Sequence, residues 1–226
     1  MRASKLLVAM IAASLCSAAM AVPVQWTDWT SVSTVASAIN GSIQIGATSI
    51  DVTYSGAYSG VQLSGGTNYW APNVYTSATV DNAPSSLNND IIRLNVGGVK
   101  TITFSESVHN PLLALVSWNS NTVDFGAPIS FLSFGQGYWG NGTPIINGSG
   151  TGFFGAGEVH GVLELLGDFT SISFVDTSEY WHGFTVGVSE LTTHGDPFDV
   201  PEPASMALMG AALVGFGIAR RRSRPA

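Results

Sequence analysis

Cysteine is almost absent from this chain of 226 residues. Its single cysteine, Cys16, lies in an N-terminal segment that we expect to be removed. A lipid-attached Cys16 is disfavoured because Leu15 stands before it, where a lipoprotein signal requires a small residue. Without that segment the chain would have no cysteine, which excludes disulfides, thiolate metal sites and a cysteine nucleophile.

Basic residues are scarce in the body of the chain. Six of the eight Lys and Arg residues lie near the two termini, and only Arg93 and Lys100 remain between residues 22 and 199. Fifteen acidic residues lie between Asp28 and Glu202, so residues 22–202 carry a formal charge of about −13. Such a surface repels phosphate backbones, which excludes nucleic acid as a partner. It also repels anionic polysaccharides unless divalent cations bridge the two, whereas neutral glycans meet no such barrier.

The body also has few of the Lys, Glu and Arg residues that favour solvent-facing helices. It is rich instead in Gly, Ser, Thr, Asn and aromatic residues, which favours short strands joined by tight turns. Apolar residues alternate with polar ones in several segments, as strands with one buried face require. We predict strands at residues 49–54, 91–96, 100–105, 112–118, 129–134, 158–166, 171–174 and 184–188. Hairpin turns are predicted at Asn40-Gly41, Gly97-Gly98, Asn141-Gly142 and Asn147-Gly148.

Many short strands without a convincing helix predict an all-β fold. We expect an antiparallel β-sandwich of jelly-roll-like topology, formed as a single domain by residues 22–191. The absence of an internal repeat argues against a propeller or a solenoid. Residues 55–86 are predicted to form loops or irregular edge strands, and residues 192–199 a short stalk.

The N-terminus has the pattern of a secretory signal peptide. Arg2 and Lys5 form a basic start, and residues 6–15 form an apolar stretch. The small-x-small sequence Ala19-Met20-Ala21 predicts cleavage between Ala21 and Val22, so residues 1–21 would be removed.

The C-terminus consists of Val200-Pro201-Glu202-Pro203, an apolar run at residues 204–219, and Arg220-Arg221-Arg222. A helix of sixteen residues is about 24 Å long, shorter than a hydrocarbon core of about 30 Å. The arginines favour the cytoplasmic side, which leaves the Pro-Glu-Pro sequence facing outward. Because the run is rich in glycine and alanine, we expect a temporary anchor, with a permanent single-pass tail anchor as the alternative.

These residues, which cover about a tenth of the chain, resemble the PEP-CTERM sorting tail of Gram-negative bacterial surface proteins. The resemblance implies that residues 200–226 form a sorting tail whose motif is Val200, Pro201, Glu202 and Pro203, with the basic stop at Arg220, Arg221 and Arg222. It further implies cleavage near the motif by a membrane-embedded exosortase, and release toward the cell surface or an exopolysaccharide matrix. Residues 110–115 and 180–188 are similar, more weakly, to elements of PEP-CTERM ectodomains of unknown function; they support a β-sandwich and imply no activity.

Little in the body points to catalysis. The histidines His109, His160, His182 and His194 include no pair at the H-x-x-x-H spacing, and we expect them to be polar residues of loops and strand ends. No G-x-S-x-G sequence is present to hold a serine nucleophile. Glu158 and Glu164 share one predicted strand but would lie about 20 Å apart, too far for glycoside hydrolysis. Asp168, Asp176 and Glu179 could form a carboxylate pair only through the fold.

Acidic loops and aromatic clusters suggest two kinds of binding. Oxygen ligands for calcium could come from Asp81-Asn82 with residues 88–90, or from Asp176 with Glu179, although a solvated surface explains these residues better. Aromatic rings beside amides can stack on a sugar and hydrogen-bond its hydroxyls. Such pairs occur at Tyr69-Trp70, Tyr138-Trp139-Gly140-Asn141 and Tyr180-Trp181-His182.

The best candidate for a glycan site is Tyr138, Trp139 and Asn141, since their segment is too rich in glycine for a core strand. The alternative is that these rings plug the ends of the sandwich. The sequence thus predicts an exported, non-catalytic protein that binds cell-surface or matrix polysaccharide, with no required cofactor. A secreted carbohydrate-active enzyme, which needs two carboxyl groups within about 10 Å in a cleft, and a structural matrix protein without a discrete ligand are the alternatives.

Overall fold

The computed structural model describes residues 23–34, 37–84 and 89–191, which form strands joined by turns and loops. The strands are β1 (Gln25–Trp26), β2 (Asp28–Ser33), β3 (Ala38–Ile45), β4 (Thr48–Gly56), β5 (Gly60–Gln62), β6 (Ile91–Leu94), β7 (Gly98–His109), β8 (Leu112–Trp118), β9 (Thr122–Asp124), β10 (Ile129–Phe134), β11 (Gly142–Ile146), β12 (Gly152–Gly157), β13 (Val159–Leu165), β14 (Asp168–Asp176), β15 (His182–Val188) and β16 (Glu190–Leu191).

The strands form two antiparallel sheets. The seven-stranded sheet has the order β10-β13-β8-β15-β6-β5, and β1 also pairs with β15. The nine-stranded sheet has the order β11-β12-β9-β14-β7-β4-β3-β2, and β16 also pairs with β7. From β6 onward the chain passes from one sheet to the other at every connection except the β11–β12 hairpin. The predicted all-β antiparallel sandwich is confirmed.

The main core lies between the two sheets and follows the alternation of the sequence. In β7, Ile102 and Phe104 face inward while Thr103 and Ser105 point away. Trp29 and Trp118 are fully buried in this core. Their indole N–H groups donate to Thr185 Oγ1 at 3.1 Å and to the Gly183 carbonyl at 2.9 Å, so neither ring leaves a polar atom unpaired.

An irregular segment, residues 63–84, covers the outer face of the seven-stranded sheet. Trp70, Tyr75 and Val80 from this segment pack with Ala114 and Val116 of β8 in a second apolar cluster. This covering layer explains why every residue of β8 and β15 is buried, because both faces of these strands are covered. The prediction of loops or irregular edge strands for residues 55–86 fits residues 57–84, in which β5 is a three-residue edge strand; residues 55–56 belong to β4, and residues 85–86 lie outside the described residues.

Three of the four predicted hairpin turns are wrong. Asn40-Gly41 lies inside β3, where a Cβ on Gly41 would come within 2.5 Å of the Asp28 carbonyl, so glycine serves close strand packing. Gly97-Gly98 joins β6 to β7, which belong to different sheets.

The other two glycine signals lie at ends of β11. Asn147-Gly148 lies in the β11–β12 hairpin, as predicted. Asn141-Gly142 leads into β11 and does not form a hairpin turn. The turn before it is closed by pairing between Gly137 and Gly140.

The predicted signal peptide, stalk and sorting tail, including the apolar run at residues 204–219, lie outside the described residues. All described residues belong to one compact unit, Met1–Thr192. Within the described ranges, no helix is long and apolar enough to cross a membrane.

Candidate functional site

A cleft of about 540 Å³ lies where several connections of the sandwich converge. The end of β8, the β12–β13 turn, the β14–β15 connection and the β10–β11 turn contribute to it, together with Tyr69 of the covering segment. Its volume is within the roughly 300–1,000 Å³ that is typical of small-molecule sites. The lining residues are Tyr69, Ser117, Asn119, Ser120, Trp139, Glu158, Glu179, Tyr180 and Trp181.

One wall of the cleft is aromatic. The rings of Trp139 and Trp181 meet nearly edge-on with centroids 4.4 Å apart. Tyr69 lies 5.4 Å from Trp139 and 5.1 Å from Trp181, and it is itself nearly buried. Trp139 is 47% exposed and Tyr180 is 97% exposed, so the wall presents ring surface to solvent on a packed support.

Trp139 is held by a tight turn that rests on a buried histidine. The Gly137 N–H donates to the Gly140 carbonyl at 2.8 Å, which places Tyr138 and Trp139 at the tip of the turn. A Cβ on Gly137 would lie only 2.1 Å from Cγ of His160, so the turn can pack against the imidazole only because Gly137 has no side chain.

The floor of the cleft is polar and contains two carboxyl groups. Glu158 accepts hydrogen bonds from the Ser117 hydroxyl and, at 2.8 Å, from the Asn119 side-chain amide. The backbone N–H of Asn119 donates to Glu179 Oε1 at 3.0 Å. Glu158 and Glu179 therefore both accept hydrogen bonds from Asn119, although they are distant in sequence.

A β-bulge aims Ser117 at this floor. In the pairing of β8 with β13, Leu115 faces Gly161 and Trp118 faces Val159, so two residues of β8 oppose His160 alone. Ser117 takes up the irregularity with φ of 59°, a conformation that is uncommon outside glycine. Bulges of this kind redirect side chains and are frequent beside functional sites.

A buried chain of charged groups leads from the core to Glu179. Lys100 Nζ contacts Asp176 Oδ1, and Asp176 Oδ2 lies 3.0 Å from His182 Nε2. His182 Nδ1 in turn lies 3.2 Å from Glu179 Oε2, within ion-pair distance. The side chains of Lys100, Asp176 and His182 have no exposed surface. Lys100 also donates to the carbonyls of Val96 and Gly98, which satisfies its three N–H groups.

The pKa values follow from this arrangement. Burial by itself lowers the pKa of His182, but contacts with Asp176 and Glu179 outweigh it and raise the pKa above the usual value. Burial raises the pKa of Glu179, while the neighbouring His182 opposes that shift. The contacts with Asp176 and Glu179 thus favour the protonated form of His182.

His160 differs from His182 because no carboxylate pairs with it. Burial lowers its pKa to about 4, so the ring is neutral at physiological pH. Its Nδ1 accepts the Ser117 N–H at 3.3 Å, and its Nε2 is buried without a partner. The expectation that the histidines lie in loops and at strand ends fits His109 at the end of β7, His182 at the start of β15 and His160 at the second position of β13, although His160 and His182 are fully buried; His194 lies outside the described residues.

The structure places the three predicted glycan-site residues differently. Trp139 lines the cleft. Tyr138 is exposed and packs edge-on against Trp139 and Tyr69, with centroids 4.9 and 5.1 Å away, so it supports the wall from the side. Asn141 is exposed and is not among the lining residues.

The carboxylate partner of Glu158 could not be identified from local sequence. Glu164, the neighbour considered on the same strand, pairs across β10 and β8 with Ser130 and Leu112. Glu179, on the connection between β14 and β15, instead shares Asn119 with Glu158 as a hydrogen-bond donor. The aromatic pairs at Tyr69-Trp70 and Tyr180-Trp181 were the available signals, and each contributes at least one ring to the cleft.

The two calcium candidates have other partners. Asp176 faces Lys100 and His182, so protein cations already occupy its side. Asn82 exchanges hydrogen bonds of 2.7 and 2.8 Å with the backbone of Val24, which fastens the covering segment beside β1, while Asp81 is exposed. In the described part of the chain, no three His, Cys, Asp or Glu side chains converge as a metal site.

The fold and the cleft define an all-β ectodomain with an aromatic-walled, acidic site. A family model of the PEP-CTERM protein-sorting motif matches residues 199–222, so this is a protein that carries a PEP-CTERM sorting motif. The motif marks an exported protein that is targeted by exosortase, anchored transiently in the membrane and then delivered to the surface. No curated protein and no solved structure matches the chain.

Proposed function

We propose that the ectodomain is a non-catalytic glycan-binding module that acts at the cell surface or in the exopolysaccharide matrix of a Gram-negative bacterium. The observation that carries this proposal is the cleft itself, in which exposed ring surface stands beside hydrogen-bonding groups. Trp139 and Trp181 offer apolar faces for a sugar ring, and Asn119 and Glu158 offer partners for its hydroxyls.

The test is binding of the full chain, purified in detergent micelles, to the host's own exopolysaccharide. Trp139→Ala is expected to weaken binding at least about tenfold, because the ring would be the main contact surface. Phe134→Ala is the matched control, since Phe134 is 51% exposed but does not line the cleft. Saturable binding that survives Trp139→Ala, or no binding by the wild type, would overturn the proposal.

Calcium provides a second arm of the same experiment. Because the body is strongly acidic, a divalent cation could bridge it to an anionic polymer without any use of the cleft. Binding that disappears with chelator but is unaffected by Trp139→Ala would show that the polymer is held by such bridging and not by the cleft.

Glycoside hydrolysis is a second candidate function because both Glu158 and Glu179 line the cleft and bond to Asn119. Paired carboxyl groups in unlike environments are the usual acid and base of this reaction. Binding remains our first proposal because both oxygens of Glu179 already face protein groups, Asn119 and His182. Release of reducing sugars by the wild type, lost in both Glu158→Gln and Glu179→Gln, would favour the enzyme instead.

A further inference from the structure

We infer that the cleft selects glycans that carry free, protonated amino groups; this inference rests on the proposed function and specifies its ligand. The argument concerns the charge that the protein leaves unbalanced at Glu158. The ligand class that follows is a polysaccharide with de-acetylated amino sugars.

The charges behind the cleft balance one another. Lys100 offsets Asp176, and His182 stands between Asp176 and Glu179. Each carboxyl group of this network therefore already has a basic side chain of the protein within ion-pair distance. Glu179 therefore contributes to the floor mainly as a fixed, neutralised part of the protein.

Glu158 has no such counter-charge. Its two hydrogen-bond donors, the Ser117 hydroxyl and the Asn119 amide, are both neutral. His160, whose charge would affect Glu158 most directly, has a pKa of about 4 and is neutral at physiological pH. No lysine, arginine or histidine side chain is among the described residues that line the cleft.

A carboxylate accepts more hydrogen bonds than Glu158 receives from the protein, since its two oxygens offer about four acceptor positions. An ammonium group would supply both the missing donors and the missing charge, and charge-assisted hydrogen bonds are the stronger kind. The aromatic wall beside Glu158 would stack on the face of the same sugar and favours nearby cations.

The charge of the remaining surface also favours a cationic ligand. Lys100 is fully buried, so Arg93 is the one Lys or Arg side chain that can reach the surface between residues 22 and 199. An acidic body attracts cationic polymers from a distance and repels uronic-acid polymers. Long-range attraction would bring an amino-bearing chain to the protein, and Glu158 would fix it in the cleft.

The experiment compares three oligosaccharides of equal length with the full chain in detergent: a β-1,4-linked glucosamine oligomer, its N-acetylated counterpart and a polyuronate. It is performed at a pH at which the amino groups are protonated. We expect the amino form to bind about tenfold or more tightly than the acetylated form, and the polyuronate not to bind.

Glu158→Gln should remove the preference, so that the amino and acetylated oligomers bind the variant with affinities within about twofold of each other. Asp81→Asn, which alters an exposed acidic residue outside the cleft, should leave the preference intact. Thermal unfolding followed by circular dichroism establishes that both variants are folded.

The outcomes separate this inference from the proposed function. Equal binding of the amino and acetylated oligomers, both lost in Trp139→Ala, would retain a glycan module and overturn the amino-sugar inference. A preference that persists in Glu158→Gln would also overturn it, since the preference would then come from overall charge. No binding of any of the three oligomers would overturn the inference, whereas the glycan-binding proposal falls only if the wild type also fails to bind the host's own exopolysaccharide.

Discussion

Lys100 is a fully buried lysine whose amino group contacts the carboxylate of Asp176. We expect Lys100→Met to lower the free energy of unfolding by about 3–5 kcal/mol, because removal of one partner leaves a buried carboxylate short of its counter-charge. Denaturant unfolding followed by tryptophan fluorescence measures the loss. The double variant Lys100→Met/Asp176→Asn should recover part of it, and an equal or larger loss in the double variant would contradict this account.

Asp90 gives the stability a pH dependence that opposes ordinary acid denaturation. Burial raises the pKa of this carboxyl to about 7 from 3.8, with smaller contributions from Asp28. The folded state therefore binds more protons than the unfolded chain between pH 3.8 and about 7, so the contribution of Asp90 to stability falls as the pH rises through this window.

Asp90→Asn removes this dependence and can still accept the Trp29 N–H that now bonds to Asp90 Oδ2 at 3.1 Å. We expect the difference in free energy of unfolding, variant minus wild type, to increase by roughly 2–4 kcal/mol as the pH rises from 4 to 7. Denaturant titrations at several pH values measure the difference. The exposed Asp81→Asn variant should run parallel to the wild type, and a parallel course for Asp90→Asn would refute the assignment.

At the scale of elements, the turn between β10 and β11 depends on one missing side chain. Gly137→Ala would drive a methyl group into the His160 ring, and we expect a loss of about 1–3 kcal/mol in stability together with displacement of Trp139. Gly148→Ala, in the next hairpin, is the matched control because nothing lies within 4 Å of its added Cβ. Chemical denaturation and the tryptophan emission spectrum report both effects; identical behaviour of the two variants would show that the turn is not held by His160.

The strands that could be predicted are those whose pattern is purely local. β8 and β10 have the predicted bounds, since each is rich in apolar residues and begins directly after a proline. β3 was missed because Asn40-Gly41 has the sequence of a turn, whereas the close approach of β2 is what requires the glycine. The sheet to which a strand belongs, as at Gly97-Gly98, is decided by packing that no dipeptide encodes.

The candidate site was predictable to the same limited extent. Trp139 stood out because glycines surround it, and it lines the cleft. Glu158 and Glu179 both line the cleft only because the β12–β13 turn and the β14–β15 connection lie at the same side of the sandwich. Lys100 has the same parity as Ile102 and Phe104, which places it inside, but the buried carboxylate that stabilises it lies 76 residues away.

At the scale of the whole molecule, the ectodomain and the sorting motif are separate parts of one chain. The matched motif at residues 199–222 contains Pro201, Glu202 and Pro203. We expect Glu202→Ala to leave the exported protein unprocessed, because exosortase acts at this motif. Immunoblots of cell fractions should show full-length protein retained in the membrane instead of a shorter surface form.

Asp196→Ala is the control for this variant, since residue 196 lies outside the matched segment. Its processing should equal that of the wild type. Normal release of the Glu202→Ala protein would mean that the Pro-Glu-Pro sequence does not direct processing in this chain.

The burial of Lys100 also affects how long the protein lasts after export. Trypsin-like proteases cut after lysine or arginine, and residues 22–199 offer them only Arg93 and Lys100. Both lie within strands that are paired on two sides, β6 and β7, and Lys100 is wholly inaccessible. The folded ectodomain should therefore survive digestion by such enzymes. Reagents that label amines should not modify its only lysine.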